Sequence, residues 1–180
     1  YIVGIALTPK QMNSPRKDIV RKKILAATLY AQNKLGCDFL MLGGLTAPAT
    51  SAGLFLTEHA QVKLNVTTGN AYTAAITLHS VYKAVEMAKL NLSELTGAVI
   101  GATGTIGEAV SRVLEDQVKD LILVGIDQEK LNRLNSKMLK DNHITTKNLG
   151  EIAKADIVVT ATSHPDALID PKILKRKSIV

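Results

Sequence analysis

The sequence contains little cysteine and few aromatic residues. It has one cysteine, Cys37, and no tryptophan, and aromatic residues make up 3% of the chain. A single cysteine excludes an internal disulfide and fits a reducing compartment, so we expect a cytoplasmic protein. The scarcity of aromatic rings leaves no platforms on which single-stranded nucleic acid would stack. No run of about 18 uncharged apolar residues occurs, so the sequence predicts no membrane span.

Residue patterns typical of metal sites and of serine hydrolases are missing as well. The chain has four histidines, which are scattered without an HxxE, HxH or CxxC spacing: His59, His79, His143 and His164. The sequence therefore predicts no metal site. No GxSxG motif occurs, which argues against a Ser-His-Asp hydrolase.

Positive charge exceeds negative charge only mildly. Lysine and arginine number 22 against 16 acidic residues, a net charge of +6, and basic residues cluster in 16–23 and 172–177. Each cluster is either a solvated face or a surface that docks an acidic partner. We expect no nucleic-acid partner, because no recognition motif accompanies the charge.

Length and hydrophobicity are sufficient for a folded core. The chain has 180 residues, of which 46% are hydrophobic, and this predicts one domain or one domain with part of another. It opens on Tyr1 without a signal-peptide pattern, and 177–180 reads as the middle of a strand. We therefore expect an internal fragment of a longer polypeptide.

The first half of the chain predicts a small α/β lobe. An apolar run at 1–7 predicts a buried strand, Ser14-Pro15 predicts the start of a helix that ends near Gly36, and 39–42 predicts a second strand. A further strand is predicted at 61–66. A helix of about 20 residues at 71–90 is long enough to bridge two lobes.

The second half alternates short strands and helices. Strands are predicted at 98–100, 121–125, 143–144 and 156–161, with another beginning at 178, and helices at 105–115 and 128–138. This alternation predicts a doubly wound parallel sheet, the Rossmann type of α/β fold. The predicted domains are an N-terminal α/β substrate lobe, 1–90, and a dinucleotide-binding domain, 91–180, both incomplete in this chain.

A glycine-rich loop lies between the strand at 98–100 and the helix at 105–115. Its sequence is Gly-Ala-Thr-Gly-Thr-Ile-Gly over 101–107. Glycines in such a loop allow a tight turn and a close approach of backbone to a pyrophosphate, which the helix N-terminus then attracts. The predicted cofactor-binding residues of this loop are Gly101, Thr103, Gly104, Thr105, Ile106 and Gly107. Ligands of open parallel sheets lie at the carboxyl ends of strands, so Ala161, Thr162 and Ser163 in the exit segment 161–165 are predicted to join the site.

The end of the second strand of the domain does not decide between NAD(H) and NADP(H). A carboxylate there binds the ribose 2′-hydroxyl, and Gly125 occupies the position where that acid is expected. Asp127, two residues on, either caps the following helix or reaches the ribose. Lys130 is a weaker candidate to supply charge for a phosphate.

Three motifs together resemble one enzyme family. They are Leu-Gly-Gly-Leu-Thr at 42–46, Thr-Thr-Gly-Asn at 67–70 and the glycine loop. The chain resembles the long-chain acyl-acyl-carrier-protein reductases, within the shikimate-dehydrogenase-like two-lobe oxidoreductases. The resemblance implies hydride transfer that reduces an acyl thioester, carried by acyl carrier protein or coenzyme A, to an aldehyde. It favours NADP(H), with NAD(H) as the alternative, although the family carries an arginine where this chain has Ile126.

The resemblance also implies roles for single residues. The family forms an acyl-thioester on a cysteine that would lie beyond Val180, and Cys37 does not match it. Asn70 is implied to face the nicotinamide or the substrate carbonyl, with helix capping as the alternative. Thr46 is implied to line the substrate cleft, and Lys63 is a candidate acid or cation near that cleft; a turn residue and a solvated lysine are the respective alternatives. The substrate is then a small molecule or a carrier-bound acyl group, and a homo-oligomer is one of the assemblies we expect.

Two other functions fit the same residues. One is a dehydrogenase of a small hydroxy acid or amino acid, without a cysteine step. The other is a regulatory module that binds a dinucleotide without catalysis. The fold alone does not choose among them, because it supports many chemistries.

Overall fold

The structure, a computed structural model, describes residues 1–164 and 168–180. These residues form two compact units, Tyr1–Gly69 and Asn70–Val180. The first contains α1 (Pro9–Met12), α2 (Lys17–Asn33), β1 (Phe39–Met41), α3 (Thr46–Ala49), α4 (Leu54–Thr57) and β2 (Asn65–Thr67). The second contains α5 (Asn70–Met87), β3 (Thr96–Ile100), α6 (Thr105–Leu114), β4 (Asp120–Val124), α7 (Gln128–Asn135), β5 (His143–Thr146) and β6 (Ile157–Thr160). Short 3-10 turns lie at Leu92–Glu94, Leu149–Lys154 and Pro171–Ile173.

The first unit is built on a parallel pair of strands. β1 and β2 pair in register, with Leu40 opposite Val66. Its core is a cluster of buried side chains from α2, α3, α4 and the residue that follows β1: Val20, Ile24, Ala47, Leu56 and Leu42.

The start of the chain differs from the predicted strand. Residues 1–7 form no strand, and the side chains of Tyr1 and Ile2 are almost fully exposed. An apolar run forms a strand only when a neighbouring strand pairs with it. The sheet of the first unit contains β1 and β2, and residues 1–7 are not paired with either strand. The long helix α2 begins at Lys17 rather than at Ser14-Pro15, because the Ser14 hydroxyl oxygen accepts from the Arg16 N–H in a separate turn, at 3.2 Å.

The second unit is a four-stranded parallel sheet in the order β5-β4-β3-β6. Its central strands are buried on both faces, as their continuous apolar sequences require. α5 and α6 pack on one face, around Val99, Leu121 and Leu123. The predicted α/β fold with a doubly wound parallel sheet is confirmed. The sheet continues at Ile179, which forms an isolated parallel bridge with Ile157, where a further strand was predicted to begin.

The long helix α5 packs with the second unit. Its buried residues belong to the same core cluster as Val99 and Leu121: Ala74, Leu78, Val81 and Val85. The compact units therefore divide at Gly69–Asn70, whereas the sequence analysis placed its boundary at residue 90. The assignment of substrate and cofactor roles to the two parts of the chain stays a prediction.

The Asp156 side chain links the amino ends of β6 and β3. Its carboxylate accepts hydrogen bonds from the Thr96 N–H, at 3.0 Å, and from the Lys175 ammonium. Partial burial raises the pKa of Asp156, but the hydrogen bonds from Lys175 and Thr96 and the charge of Lys175 outweigh it, so its pKa lies below the ordinary value of 3.8.

Asp156→Asn is expected to lower the free energy of unfolding by about 1–3 kcal/mol at pH 7, because a charged acceptor of two hydrogen bonds is replaced. A carboxyl whose pKa is lower in the folded state stabilises the fold above the unfolded value, and this contribution is lost as pH falls below about 4. Denaturant unfolding at pH 7 and pH 3 measures both effects. If the difference between wild type and variant is the same at the two pH values, the carboxylate does not act as described.

Among residues 1–164 and 168–180, no helix is long and apolar enough to cross a membrane. Over the same residues, histidine, cysteine, aspartate and glutamate side chains form no group of three or more that would hold a metal ion.

Candidate dinucleotide-binding site

The glycine loop leaves β3 in a tight turn held by the neighbouring strand. The N–H groups of Gly101 and Ala102 both donate to the Val124 carbonyl oxygen, at 2.9 and 3.1 Å, and the Gly104 N–H donates to Gly101 O at 2.9 Å. Gly101 has φ +78°, a conformation that side-chain-bearing residues rarely adopt. The turn is thus fixed by β4 on one side and by its own backbone on the other.

At two positions of the loop, glycine is required because other backbone atoms lie too close to admit a Cβ. A Cβ at Gly101 would lie 2.3 Å from Ala161 O, and a Cβ at Gly107 would lie 2.2 Å from Gly101 O. Both distances are far inside van der Waals contact. Gly104 is less restricted, since a Cβ there would lie 3.3 Å from Gly101 O. The loop, the first turn of α6 and the exit of β6 are therefore in direct backbone contact.

The N-terminus of α6 points out of this loop. Gly104 is the N-cap, extended and with no side-chain capping hydrogen bond, and both Gly104 and Thr105 are exposed. The first N–H groups of a helix have no intrahelical acceptor, and together with the helix dipole they attract an anion. Gly101 and Gly107 allow the loop to pack this closely on its own backbone and on the exit of β6, and the exposed helix end that follows fits the pyrophosphate of a dinucleotide.

The exit of β6 lies against the glycine loop. The Ala161 N–H donates to Ile100 O at 2.8 Å, and Ala161 O is the atom closest to an added Cβ at Gly101. Thr162 and Ser163 follow on the surface, and the Thr162 hydroxyl oxygen accepts from the His164 N–H at 3.1 Å. Pro165, the last residue of the predicted segment, lies outside the described residues. The structure thus brings 101–107 and 161–163 together, while their contact with a cofactor stays a prediction.

Asp127 forms the N-cap of α7. Its Oδ1 accepts from the Lys130 N–H at 3.2 Å, and its Oδ2 lies 3.9 Å from the Lys130 ammonium. The capping alternative describes this geometry, and the ribose contact stays a prediction. Ile126 beside it is 93% exposed.

Gly125 is enclosed by the loop and by α7. A Cβ there would lie 3.1 Å from both Thr103 Cγ2 and Leu131 Cδ2. A carboxylate-bearing residue at this position would need both neighbours to move. Position 125, where the sequence analysis expected the acid that selects NAD(H), thus carries no side chain and is closely surrounded.

Of the three candidate catalytic residues, Thr46 and Lys63 lie in the first unit and Asn70 lies in the second. Thr46, the first residue of α3, donates its hydroxyl to Gly43 O at 2.6 Å. Lys63 has an exposed side chain, and its backbone N–H donates to Gln32 Oε1 at 2.6 Å. Asn70 is the first residue of α5, in the second unit. Their catalytic roles stay predictions.

Two parts of the site depend on backbone groups elsewhere in the chain and could not be predicted from the loop sequence. The Val124 carbonyl, which accepts two N–H groups of the loop, carries no sequence signal. Ser111 is fully buried in α6 and donates its hydroxyl to Gly107 O at 2.7 Å, which supports the first turn of the helix. A serine four residues after the last glycine, on the apolar side of a helix, was the available signal.

Comparison with known proteins identifies the family. The family model described as Shikimate / quinate 5-dehydrogenase matches residues 82–179, more than half of the chain. A long-chain acyl-[acyl-carrier-protein] reductase from Synechococcus elongatus is 32% identical over 96% of this chain, and the match covers 52% of that protein. The chain thus spans about half the length of this curated relative.

Among solved structures, the chain resembles a dipicolinate synthase component from Bacillus halodurans. That similarity covers 69% of this chain and 42% of the other, with 10% identity and a TM-score of 0.45. The family match includes α6, the glycine loop and the whole parallel sheet, which agrees with the predicted relationship. The chain belongs to the shikimate/quinate 5-dehydrogenase family.

Proposed function

We propose that this chain is part of a nicotinamide-dependent oxidoreductase that reduces an acyl thioester to an aldehyde. The observation that carries the proposal is the tightly packed glycine loop at the carboxyl end of β3, in a chain that is 32% identical over 96% of its length to a long-chain acyl-acyl-carrier-protein reductase. The parallel sheet places the ends of β3, β4 and β6 at one edge, where ligands of this architecture bind.

The residues of the loop hold and orient the cofactor. The N–H groups at the start of α6 would bind the pyrophosphate, and Gly101 and Gly107 allow the loop to pack against the exit of β6 and the end of β3, which fixes the position of that helix end. When bound, the cofactor would supply the hydride that reduces the carbonyl carbon of the thioester. The carbon–sulfur bond would break, the departing thiolate would take one proton from solvent, and the products would be the aldehyde, the free thiol and the oxidised cofactor.

Asn70, in the same unit as the glycine loop, is the proposed donor that polarises the carbonyl, and Thr46 and Lys63 stay further candidates. A hydroxyl, an amide and an ammonium are donors that stabilise negative charge developing on an oxygen. Thr46 has to turn its hydroxyl away from Gly43 O to donate to substrate, because that hydrogen bond uses its only proton.

NADP(H) is the proposed cofactor. A carboxylate that would favour the free ribose 2′-hydroxyl is missing from position 125, where the side chains of Thr103 and Leu131 leave little space for one. The carboxylate of Asp127 accepts the hydrogen bond that caps α7. Both observations argue against a carboxylate that binds the ribose 2′-hydroxyl, and therefore against selection of NAD(H).

The full-length protein is expected to form aldehyde from a long-chain acyl thioester with NADPH, with kcat/KM at least about tenfold higher than with NADH. Consumption of cofactor at 340 nm and detection of the aldehyde measure this. Turnover of small hydroxy acids instead of thioesters would favour the second candidate, a dehydrogenase like those for which the matched family model is named. Cofactor binding without turnover on either class would indicate a regulatory module.

A carrier-bound substrate implies a surface that docks an acidic carrier protein. Of the basic residues at 16–23, Arg21 is not available for this role, because its Nε donates to Ala49 O at 3.0 Å, its Nη2 donates to Ser51 Oγ at 2.9 Å and its guanidinium lies over the Phe55 ring. The other basic residues of this cluster are all exposed: Arg16, Lys17, Lys22 and Lys23. We assign the docking charge to the adjacent pair Lys22 and Lys23 on α2.

The double exchange Lys22→Glu and Lys23→Glu is expected to raise KM for an acyl-carrier-protein substrate about fivefold, since it reverses charge in the docking surface. KM for the same acyl group on coenzyme A is expected to stay unchanged. Lys34→Glu, near the other end of α2, is the control. An equal KM for the carrier-bound substrate in wild type and double variant would remove these lysines from the docking surface.

A further inference from the structure

Lys147 lies where the carboxyl ends of β4 and β5 meet. Val124 and Thr146 are register partners, and the Gly125 N–H donates to Thr146 O at 3.1 Å, which extends the ladder by one residue. Lys147 directly follows Thr146, so its backbone lies beside the turn that joins β4 to α7, about one strand spacing away. A lysine from β5 thus adjoins the turn whose residues select the ribose of a dinucleotide.

The backbone on both sides of Lys147 is fixed by local hydrogen bonds. The Asn148 N–H donates to the Thr146 hydroxyl oxygen at 3.0 Å, and Asn148 Oδ1 accepts from the Gly150 N–H at 3.0 Å. The side chain of Lys147 itself is exposed. The backbone of Lys147 is therefore held at the end of the sheet, and its ammonium, on an exposed and flexible side chain, is accessible to a ligand.

The charge of the β4–α7 turn permits an anion nearby. Its three residues, Gly125, Ile126 and Asp127, carry one carboxylate. That carboxylate caps α7 through the Lys130 N–H and lies 3.9 Å from the Lys130 ammonium, which offsets its charge. With Lys147 added, the local balance at this edge is positive.

We propose that Lys147 binds the 2′-phosphate of NADP(H), with Lys130 offsetting the charge of Asp127. This inference rests on the proposed function, and it names the residue that gives the site its preference. A phosphate monoester carries about −1.5 to −2 charges at pH 7, which an exposed lysine attracts strongly at low ionic strength. The preference for NADP(H) over NAD(H) then depends on Lys147, at the end of β5. The adjacent β4–α7 turn has no cationic side chain at positions 125–127.

Titrations of NADPH and NADH into the full-length protein, followed by nicotinamide fluorescence, test the proposal. Lys147→Gln is expected to weaken NADPH binding about tenfold and to leave NADH binding unchanged, because only NADPH has the phosphate. Unchanged NADH affinity also shows that the variant is folded. Lys119→Gln is the matched control, an exposed lysine just before β4 at the opposite end of the same sheet.

The outcomes separate this inference from the function on which it rests. If the wild type prefers NADPH and Lys147→Gln binds it equally well, the assignment of Lys147 is wrong while the proposed function stands. An equal loss of both cofactors in the variant also overturns the assignment, since Lys147 then acts on the fold or on a shared part of the ligand. If the wild type binds neither cofactor, the proposed function itself fails.

Discussion

Gly107→Ala is expected to lower NADPH affinity more than tenfold and to reduce the free energy of unfolding by about 2–4 kcal/mol. The added Cβ would lie 2.2 Å from Gly101 O and 3.0 Å from Ala102 Cα. Both atoms belong to the backbone, so no side-chain rotation relieves the clash. The first turn of α6 has to move away from β3, and the N–H groups that bind the pyrophosphate move with it.

Gly104→Ala is the control within the same loop. Gly104 has φ −80°, which alanine adopts, and its added Cβ would lie 3.3 Å from Gly101 O. This exchange is expected to cost about 1 kcal/mol or less, because glycine is favoured over alanine at an N-cap. Denaturant unfolding of both variants provides the comparison for the fold, and NADPH titration is made on Gly107→Ala. An equal loss of stability at the two positions would contradict the close packing of α6 on β3.

Glu115→Ala is expected to reduce the free energy of unfolding by about 1–3 kcal/mol, because it removes the charged acceptor of partly buried hydrogen bonds. Glu115 follows α6 and is 2% exposed. Its carboxylate accepts from the N–H of Leu139, at 2.9 Å, and from that of Lys140, at 2.8 Å. His143 Nδ1 lies 3.6 Å from the same carboxylate. The side chain therefore holds the segment that leads from α7 into β5.

The neighbouring acid supplies a matched control for Glu115. Asp116 forms an exposed ion pair with the Lys140 ammonium, at 3.0 Å. Asp116→Ala is expected to change the free energy of unfolding by about 0–1 kcal/mol, the range of solvated ion pairs. Thermal or denaturant unfolding measures both variants. A cost at Asp116 as large as that at Glu115 would show that burial does not set the difference.

The glycine loop could be predicted from sequence because its signal is local. The loop spans seven consecutive residues between an apolar run and a helical pattern, and the required conformation involves glycine at defined spacing. The alternation of strands and helices in 96–160 likewise depends on short windows of sequence. The parallel order of the sheet then follows from the short helical connections.

Features that depend on distant partners could not be predicted. Glu115 reads as an exposed acid at a helix end, since the N–H groups that it binds lie 24 and 25 residues away. Arg21 reads as part of a basic cluster, and its partners at Ala49 and Ser51 are 28 and 30 residues away. The apolar stripe of α5 predicts a helix but does not specify which unit buries it. For residues 1–7, apolar sequence indicates a strand without showing whether a neighbour pairs with it.

Hydrogen–deuterium exchange of the full-length protein with and without NADPH tests whether the glycine loop binds the dinucleotide, because it locates the bound cofactor on the chain. We expect slower exchange in 101–107 at the start of α6, in the β4–α7 turn at 125–127 and in the β6 exit at 161–163. Residues at the amino ends of the same strands, such as 118–120, are expected to exchange at an unchanged rate. Protection confined to other segments, or no protection at saturating NADPH, would contradict the assignment of the glycine loop as the dinucleotide site.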